Sequence, residues 1–447
     1  MKLRHASTNS AVRTWDGSDR YLLLSWSIFF LFISIPFFDV SVGILAKALG
    51  LYSGYEAQEK LATLIPGIVI RAGILVAVFA SLFSREQGHK NLWYLYVLLT
   101  ALLASEYFAF FNHQSIGNLF LGLTYVFKII LIITISIYLL TIHPGHLLYL
   151  KAETIALNAL LVYVFAIVVG HLLKYEYVTY GGLGSSGFLI SGSANSVSLA
   201  FLIGAPFLIN RFIRADGKGK IFWSFIYLLC LYASMLLLTK ASILSLLIIL
   251  AVSLLYGFSR SRLGVKLVLV ALVGILAVVL IITVDFSSLT IVKRVEFLIE
   301  YHDGAVWKIL LSGRDRYMLA AQDIFVNEMP VFQQILGAGY QIPKEAMEWH
   351  TGHVQGVEVD FGDLLVKSGF VGAFLYGVPV LMIFLKSIVT LFQNTSFMHK
   401  LVCLVFILMV FQSSIAGHVF MSGMLGFMIP FSVFFVIRGK EYFDGKA

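Results

Sequence analysis

Residues 119–140 read LFLGLTYVFKIILIITISIYLL, a long apolar run with a single charge, Lys128, near its middle. A helix of about 20 mainly apolar residues crosses a hydrocarbon core about 30 Å thick, because each residue rises about 1.5 Å. This run therefore reads as a membrane span. Segments 21–38, 61–83, 92–110, 155–173, 196–212 and 221–238 read the same way, as do 243–258, 265–284, 365–389, 401–416 and 421–437. The expected fold is an all-α polytopic membrane protein of about twelve spans. Composition agrees: 59% of the 447 residues are hydrophobic and 13% charged, against roughly a quarter charged in soluble domains.

The longest polar interruption divides the chain. Residues 1–284 form an expected N-terminal bundle of about nine spans, 285–364 a large loop, and 365–447 a C-terminal bundle of about three spans. Basic loops stay on the cytoplasmic side. The tail with Lys2, Arg4, Arg13 and Arg20, the loop with Arg211, Arg214, Lys218 and Lys220, and the loop with Arg260, Arg262 and Lys266 should share that side. An even span count places Arg438, Lys440 and Lys446 there too, so both termini are expected in the cytoplasm. The polar tail before the first span reads as preceding an uncleaved anchor, not a cleaved signal peptide. The large loop then faces outward, with twelve Asp and Glu against six Lys and Arg between positions 285 and 363. The net charge of +8 is a topology signal, and no nucleic-acid partner is expected. Cys230 and Cys403 fall within spans, which argues against a disulfide framework or a cysteine metal site.

Charges inside spans carry information, because an unpaired one costs several kcal/mol. Arg71 in PGIVIRAGILVA and Lys128 in TYVFKIILIIT should face the bundle interior. They either line a cavity for an anionic headgroup or pair internally with an acid such as Glu106. The piece HPGHLLYLK, with His143 and His146, reads as a turn with solvated histidines. Between spans, KYEYVTYGGLGSSGFLISGS offers Tyr175, Tyr177 and Tyr180 as flat faces for sugar rings, or as ordinary interfacial tyrosines.

Lys240, in LLLTKASILSLL, sits in a hairpin at the expected outer surface, where it can meet a lipid pyrophosphate. In the large loop, LLSGRDRYMLAAQDIFVNEMPVFQQILGAGY predicts a short amphipathic helix with Tyr317, Leu319, Ala320 and Ile324 on or near one face. Arg314 and Arg316 open it, and a turn at Gly337 and Gly339 ends the stretch. Arginine bonds phosphate oxygens through a planar fork and stays charged at any relevant pH. The segment EWHTGHVQGVEVDFGDLLVKSGFVG then gathers His350, His353, Glu358, Asp360 and Asp363 before the next span, a set suited to general acid/base chemistry. Duller readings are surface ion pairs for Arg314 and Arg316 with Asp315 or Asp323, and a solvated or cation-chelating Glu358 and Asp360. Zinc on His350 and His353 lacks the usual motif context, and no metal or other cofactor is expected.

The order of a hairpin cation, S-G-R opening a helix, G-x-G, and a polar segment ending in G-x-x-G resembles the O-antigen ligase and Wzy-type polysaccharide polymerase superfamily. The likeness covers roughly residues 192–372 and includes Asn195 as the start of an Asn-led helix. This chain has Lys240 where the family usually has arginine, and Glu358 where the ligase branch has histidine; the second feature looks more like the polymerase branch. The resemblance implies a GT-C-like architecture in a bacterial cytoplasmic membrane, with the active site facing the periplasm or cell exterior. It implies glycosyl transfer from an undecaprenyl-pyrophosphate-linked oligosaccharide in the membrane lipid to the terminal sugar hydroxyl of another lipid-linked repeat unit. Arg314, helped by Lys240 and Arg316, would stabilise the departing pyrophosphate. Glu358 would be the base, with His353 and Asp360 as further catalytic candidates, and His350, Arg71, Lys128 and Tyr180 would bind substrate. A Wzz-like chain-length regulator is a further expected partner. Alternatives are a ligase acting on lipid A core and a flippase; the absence of an evident internal repeat counts against the flippase.

Overall fold

The computed structural model describes residues 19–50, 61–83, 86–113, 116–179, 184–190, 194–257, 299, 314–351, 359–415, 417, 419–420, 422 and 424–445. The span expected at 265–284 and the candidates Glu358, His353 and Tyr180 lie outside the described residues.

The helices of the N-terminal bundle are α1 (Asp19–Ala48), α2 (Leu61–Phe83), α3 (Glu86–His113), α4 (Ile116–Thr141), α5 (Leu147–Leu172), α6 (Ala194–Arg214), α7 (Gly217–Leu237) and α8 (Lys240–Gly257). A smaller cap contains α9 (Arg314–Asp323), a π-helical turn (Ile324–Glu328), α10 (Val331–Leu336) and α11 (Gln341–Thr351). The chain then returns through α12 (Asp360–Phe392) and α13 (Phe397–Ile415), a 3-10 turn (Gly426–Met428) and α14 (Ile429–Gly439). Among the described residues, eight helices are long and apolar enough to cross a membrane. The all-α polytopic class is therefore what the structure has. Rows of exposed apolar side chains on α7 (Ile221, Phe222, Phe225, Leu228) and α12 (Phe374, Leu381, Met382, Leu385) are the natural surface of helices bathed in lipid.

Three expectations need correction. The first span does not stop before Asp39: α1 continues to Ala48, because Arg71 of α2 neutralises that carboxylate inside the bundle. Pro36 interrupts the helix ladder on the way, and Asn158 of α5 donates to the Ile33 carbonyl, one of the groups beside the break. The span expected at 421–437 is displaced toward the C-terminus: its helical part begins with the 3-10 turn at Gly426, continues as α14 and runs on through a π-helical turn, Lys440–Asp444. His146 is not solvated. It is 2% exposed, its ring meets the hydroxyls of Ser25 (2.7 Å) and Tyr138 (3.3 Å), and its Nδ1 accepts from the Leu148 N–H to cap α5.

Between α5 and α6 the chain forms a two-stranded antiparallel hairpin, β1 (Val178–Thr179) with β2 (Gly184–Ser185), pairing Val178 with Ser185 and Thr179 with Gly184. Tyr177 does not offer a face to sugar. It is buried, and its hydroxyl donates to the Gly43 carbonyl at 2.9 Å. Burial, with a smaller contribution from Tyr175, pushes the Tyr177 phenol up to about 12. Tyr175 is half-buried, with the Lys47 ammonium 5.1 Å from its ring centre.

Candidate functional site

The cap meets the bundle where two glycine motifs interlock. Gly369 has φ 63° and ψ −173°, which breaks α12 within its third turn. Gly337, at φ 99° and ψ 160°, ends α10 in a region open only to glycine. A Cβ on Gly337 would lie 2.3 Å from the Lys367 carbonyl oxygen, and one on Gly369 would lie 2.3 Å from the Gly337 nitrogen. Across this contact the N–H of Ala338 donates to the Val366 carbonyl (3.2 Å) and that of Gly339 to the Lys367 carbonyl (2.9 Å). Backbone groups beside the break in α12 thus find their partners in the cap, as buried polar groups must.

Beneath this seam lies a charged cluster. Glu106 of α3 accepts a hydrogen bond from the Tyr340 N–H and occupies the space left by Gly122 of α4, where a Cβ would sit 1.9 Å from its Oε2. Lys367 is 6% exposed; its Nζ donates to Asp363 at 2.6 Å and stands 4.5 Å from the Tyr340 ring centre and 5.0 Å from that of Tyr125. Such ammonium–ring contacts are worth roughly 0.5–2 kcal/mol. Lys128 of α4 lies within electrostatic reach of Lys367, Asp363 and Arg71. The interior placement expected of Lys128 is what the structure has. Lys367, Tyr125 and Tyr340 were not singled out in the sequence; the signal was the acid–base pair at i, i+4 in DLLVK, opening a span.

Arg71 is paired internally, with Asp39 in place of the suggested Glu106. Its Nη2 contacts both carboxylate oxygens, at 2.9 and 3.0 Å, and donates to the Met424 carbonyl at 2.7 Å. Tyr163 completes the group by donating to Asp39 Oδ2 at 2.7 Å. Asp360, 3% exposed, turns its Oδ2 to the N–H groups of Val419 (2.9 Å) and Phe420 (2.7 Å). Its carboxylate therefore fastens the loop after α13 to the start of α12.

Arg314 is the first residue of α9 and is half-buried, whereas Arg316 is exposed. The amphipathic reading of α9 holds for Ala320 and the following Ile324, both buried, but Leu319 is 67% exposed and Ala321 takes its inward place. Lys240 opens α8 at a hairpin built on Leu238 in the left-handed region (φ 55°), with a hydroxyl contact between Thr239 and Ser242. His350 does not stand free: it contacts Glu328 and lies 3.8 Å from Asp323.

A helical chain with this many long apolar segments and a polar cap seated on the bundle is a multi-pass membrane protein. Residues 286–440, about a third of the chain and the part that holds the cap and α12 to α14, match the family model described as O-antigen ligase like membrane protein. Over that segment the chain is similar to the O-antigen ligase and polymerase superfamily. No curated protein matches it at a significant level.

Proposed function

We propose that this protein is a Wzy-like polymerase that joins lipid-linked oligosaccharides. The interlock of Gly337 with Gly369 supports the reading, because it seats the cap, which contains Arg314, on α12, which Asp360 opens. In the reaction, the bond between the anomeric carbon and the undecaprenyl pyrophosphate oxygen breaks, and the pyrophosphate leaves with the electron pair. The acceptor sugar hydroxyl forms the new bond from the opposite face and inverts the centre. Glu358 takes its proton.

Arg314 and Lys240 stabilise the charge that grows on the departing pyrophosphate, with Arg316 in support. Each of the first two opens a helix, where exposed N–H groups add positive potential. Fixed donors and cations of this kind supply several kcal/mol to a transition state. Lys128 is read as a contact for the anionic donor from the membrane side, His353 as a second base, and Tyr180 as a sugar contact. Arg71 and Asp360 are read as braces. The site faces the cell exterior, with both termini in the cytoplasm.

Complementation of a deletion strain tests the reading: Glu358→Ala and Arg314→Ala should each leave single repeats in place of polymer ladders. Polymer of normal length from both variants would reject it. The family description favours one second reading, a ligase that passes the finished glycan to another acceptor. Loss of all surface-attached glycan in the deletion strain, with long polymer still on the lipid carrier, would select the ligase.

A further inference from the structure

Apart from the seam, the cap carries a second cluster on its exposed side. Asp323, Glu328 and His350 each turn one ligand atom inward, and the three atoms lie within 4.8 Å of one another. The side chains of Asp323 and Glu328 are 47% and 43% exposed, and that of His350 is 23% exposed.

The backbone explains the convergence. In an α-helix, residues five apart point about 140° away from each other. Here the π-helical turn Ile324–Glu328 widens the coil and brings the side chains of Asp323 and Glu328 to the same side. Single π-turns occur often at functional sites. His350 arrives from α11, which is fixed against α9 by a small core of Ala320, Ala321, Ile324, Met329 and Met347. Asn327 donates to Asp323 Oδ1, so Oδ2 is the oxygen nearer to His350. Outer contacts of this kind orient metal ligands.

A histidine–carboxylate ion pair needs one acid. Two carboxylates brought this close repel each other unless positive charge lies between them. Two carboxylates and a neutral imidazole together carry the charge that one divalent cation cancels. The donor set narrows the metal: imidazole nitrogen with carboxylate oxygen suits zinc and other late first-row ions, whereas calcium and magnesium favour all-oxygen shells. A tetrahedral zinc ion with bonds of about 2.0–2.1 Å holds its ligand atoms about 3.4 Å apart. Small rotations of exposed side chains reach that spacing: His350 parts from Glu328, which it now contacts directly, and closes on Asp323 from 3.8 Å.

We propose that Asp323, Glu328 and His350 form a zinc-binding site that ties α11 to the end of α9, with the fourth position open to water. Such an ion would anchor the helix immediately preceding residues 352–358, the stretch that carries His353 and Glu358.

The test is titration of Zn²⁺, in competition with a chromophoric chelator, into the full-length protein purified in detergent and stripped with EDTA. One equivalent should bind per chain. His350→Ala and Asp323→Asn should each weaken binding at least ~10-fold, while Glu348→Gln on the same helix should not, and excess Ca²⁺ should not displace the zinc. Where His350→Ala does not elute as a single species, Glu328→Gln serves in its place. Absence of stoichiometric binding, equal affinity in the ligand variants, or displacement by Ca²⁺ would each reduce the cluster to an acidic patch. Since no glycan is present in the measurement, its failure would leave the proposed transfer reaction untouched.

Discussion

Gly337 and Gly369 touch backbone to backbone, and neither can accept a side chain: both have positive φ, and each hypothetical Cβ falls 2.3 Å from a main-chain atom of the other motif. These glycines come from the two short motifs that flank the polar segment of the cap. Their spacing in the sequence reflects a physical contact, the seat of the cap on α12.

Gly337→Ala and Gly369→Ala should therefore each destabilise the protein by more than the roughly 1–3 kcal/mol of backbone strain, because main chain must also move. Thermal unfolding of the purified protein should show an early loss of the cap. Gly377 provides the control, since nothing lies within 4 Å of its would-be Cβ inside α12. Gly377→Ala should leave the melting temperature unchanged or raise it slightly. Equal behaviour of all three variants would show that the seam does not hold the cap.

Arg71 and Asp39 are each 8% exposed in their side chains, so removing one strands the other in the bundle. Arg71→Ala should cost about 3–5 kcal/mol, and the double variant Arg71→Met/Asp39→Leu considerably less. A double-mutant cycle on unfolding in mild detergent and denaturant measures the coupling. A coupling near zero would contradict the brace.

Asp360 separates a structural from a chemical role. Asp360→Asn keeps an acceptor oxygen for Val419 and Phe420, so it should retain most polymer formation, whereas Asp360→Ala leaves two buried donors unmet at about 1–3 kcal/mol each. Full inactivity of Asp360→Asn with unchanged thermal stability would return Asp360 to the chemistry.

Under the proposed function Lys128 contacts the donor. Lys128→Met should raise KM for the lipid-linked donor about tenfold or more, with a smaller effect on kcat, in an assay with purified protein and defined oligosaccharide. A change in stability alone would make Lys128 part of the bundle's internal charge balance.

The hydroxyl of Tyr177 gives a pH signature. Burial raises its pKa to about 12 in the fold, above the unfolded value of about 10. The neutral phenol is favoured in the folded state, so its contribution is complete below about pH 10 and declines as pH rises through 12. At pH 8, Tyr177→Phe should be less stable than the parent by about 1 kcal/mol, from the lost bond to Gly43. By pH 11 the gap should narrow. A gap that stays constant across this range would mean that the phenol is not held neutral by the fold.

The apolar spans were legible because crossing a membrane is decided locally, by length and hydropathy, and the turn at Gly337 and Gly339 because only glycine tolerates such backbone angles; the break at Gly369 was not, since it lies within the run read as one span, 365–389. The interior position of Lys128 was legible for the same reason, since a charge within a long apolar run has few places to go. Partners were not legible. Arg71 reaches Asp39 32 positions away and Met424 353 positions away, Asp360 reaches 60 positions to Phe420, and His350 meets carboxylates 22 and 27 residues upstream. The sequence by itself determined a membrane-embedded helical chain with a charged loop; only the tertiary structure decided which of its charges neutralise one another, because hydropathy acts along the chain whereas Coulomb attraction and hydrogen bonding act through space.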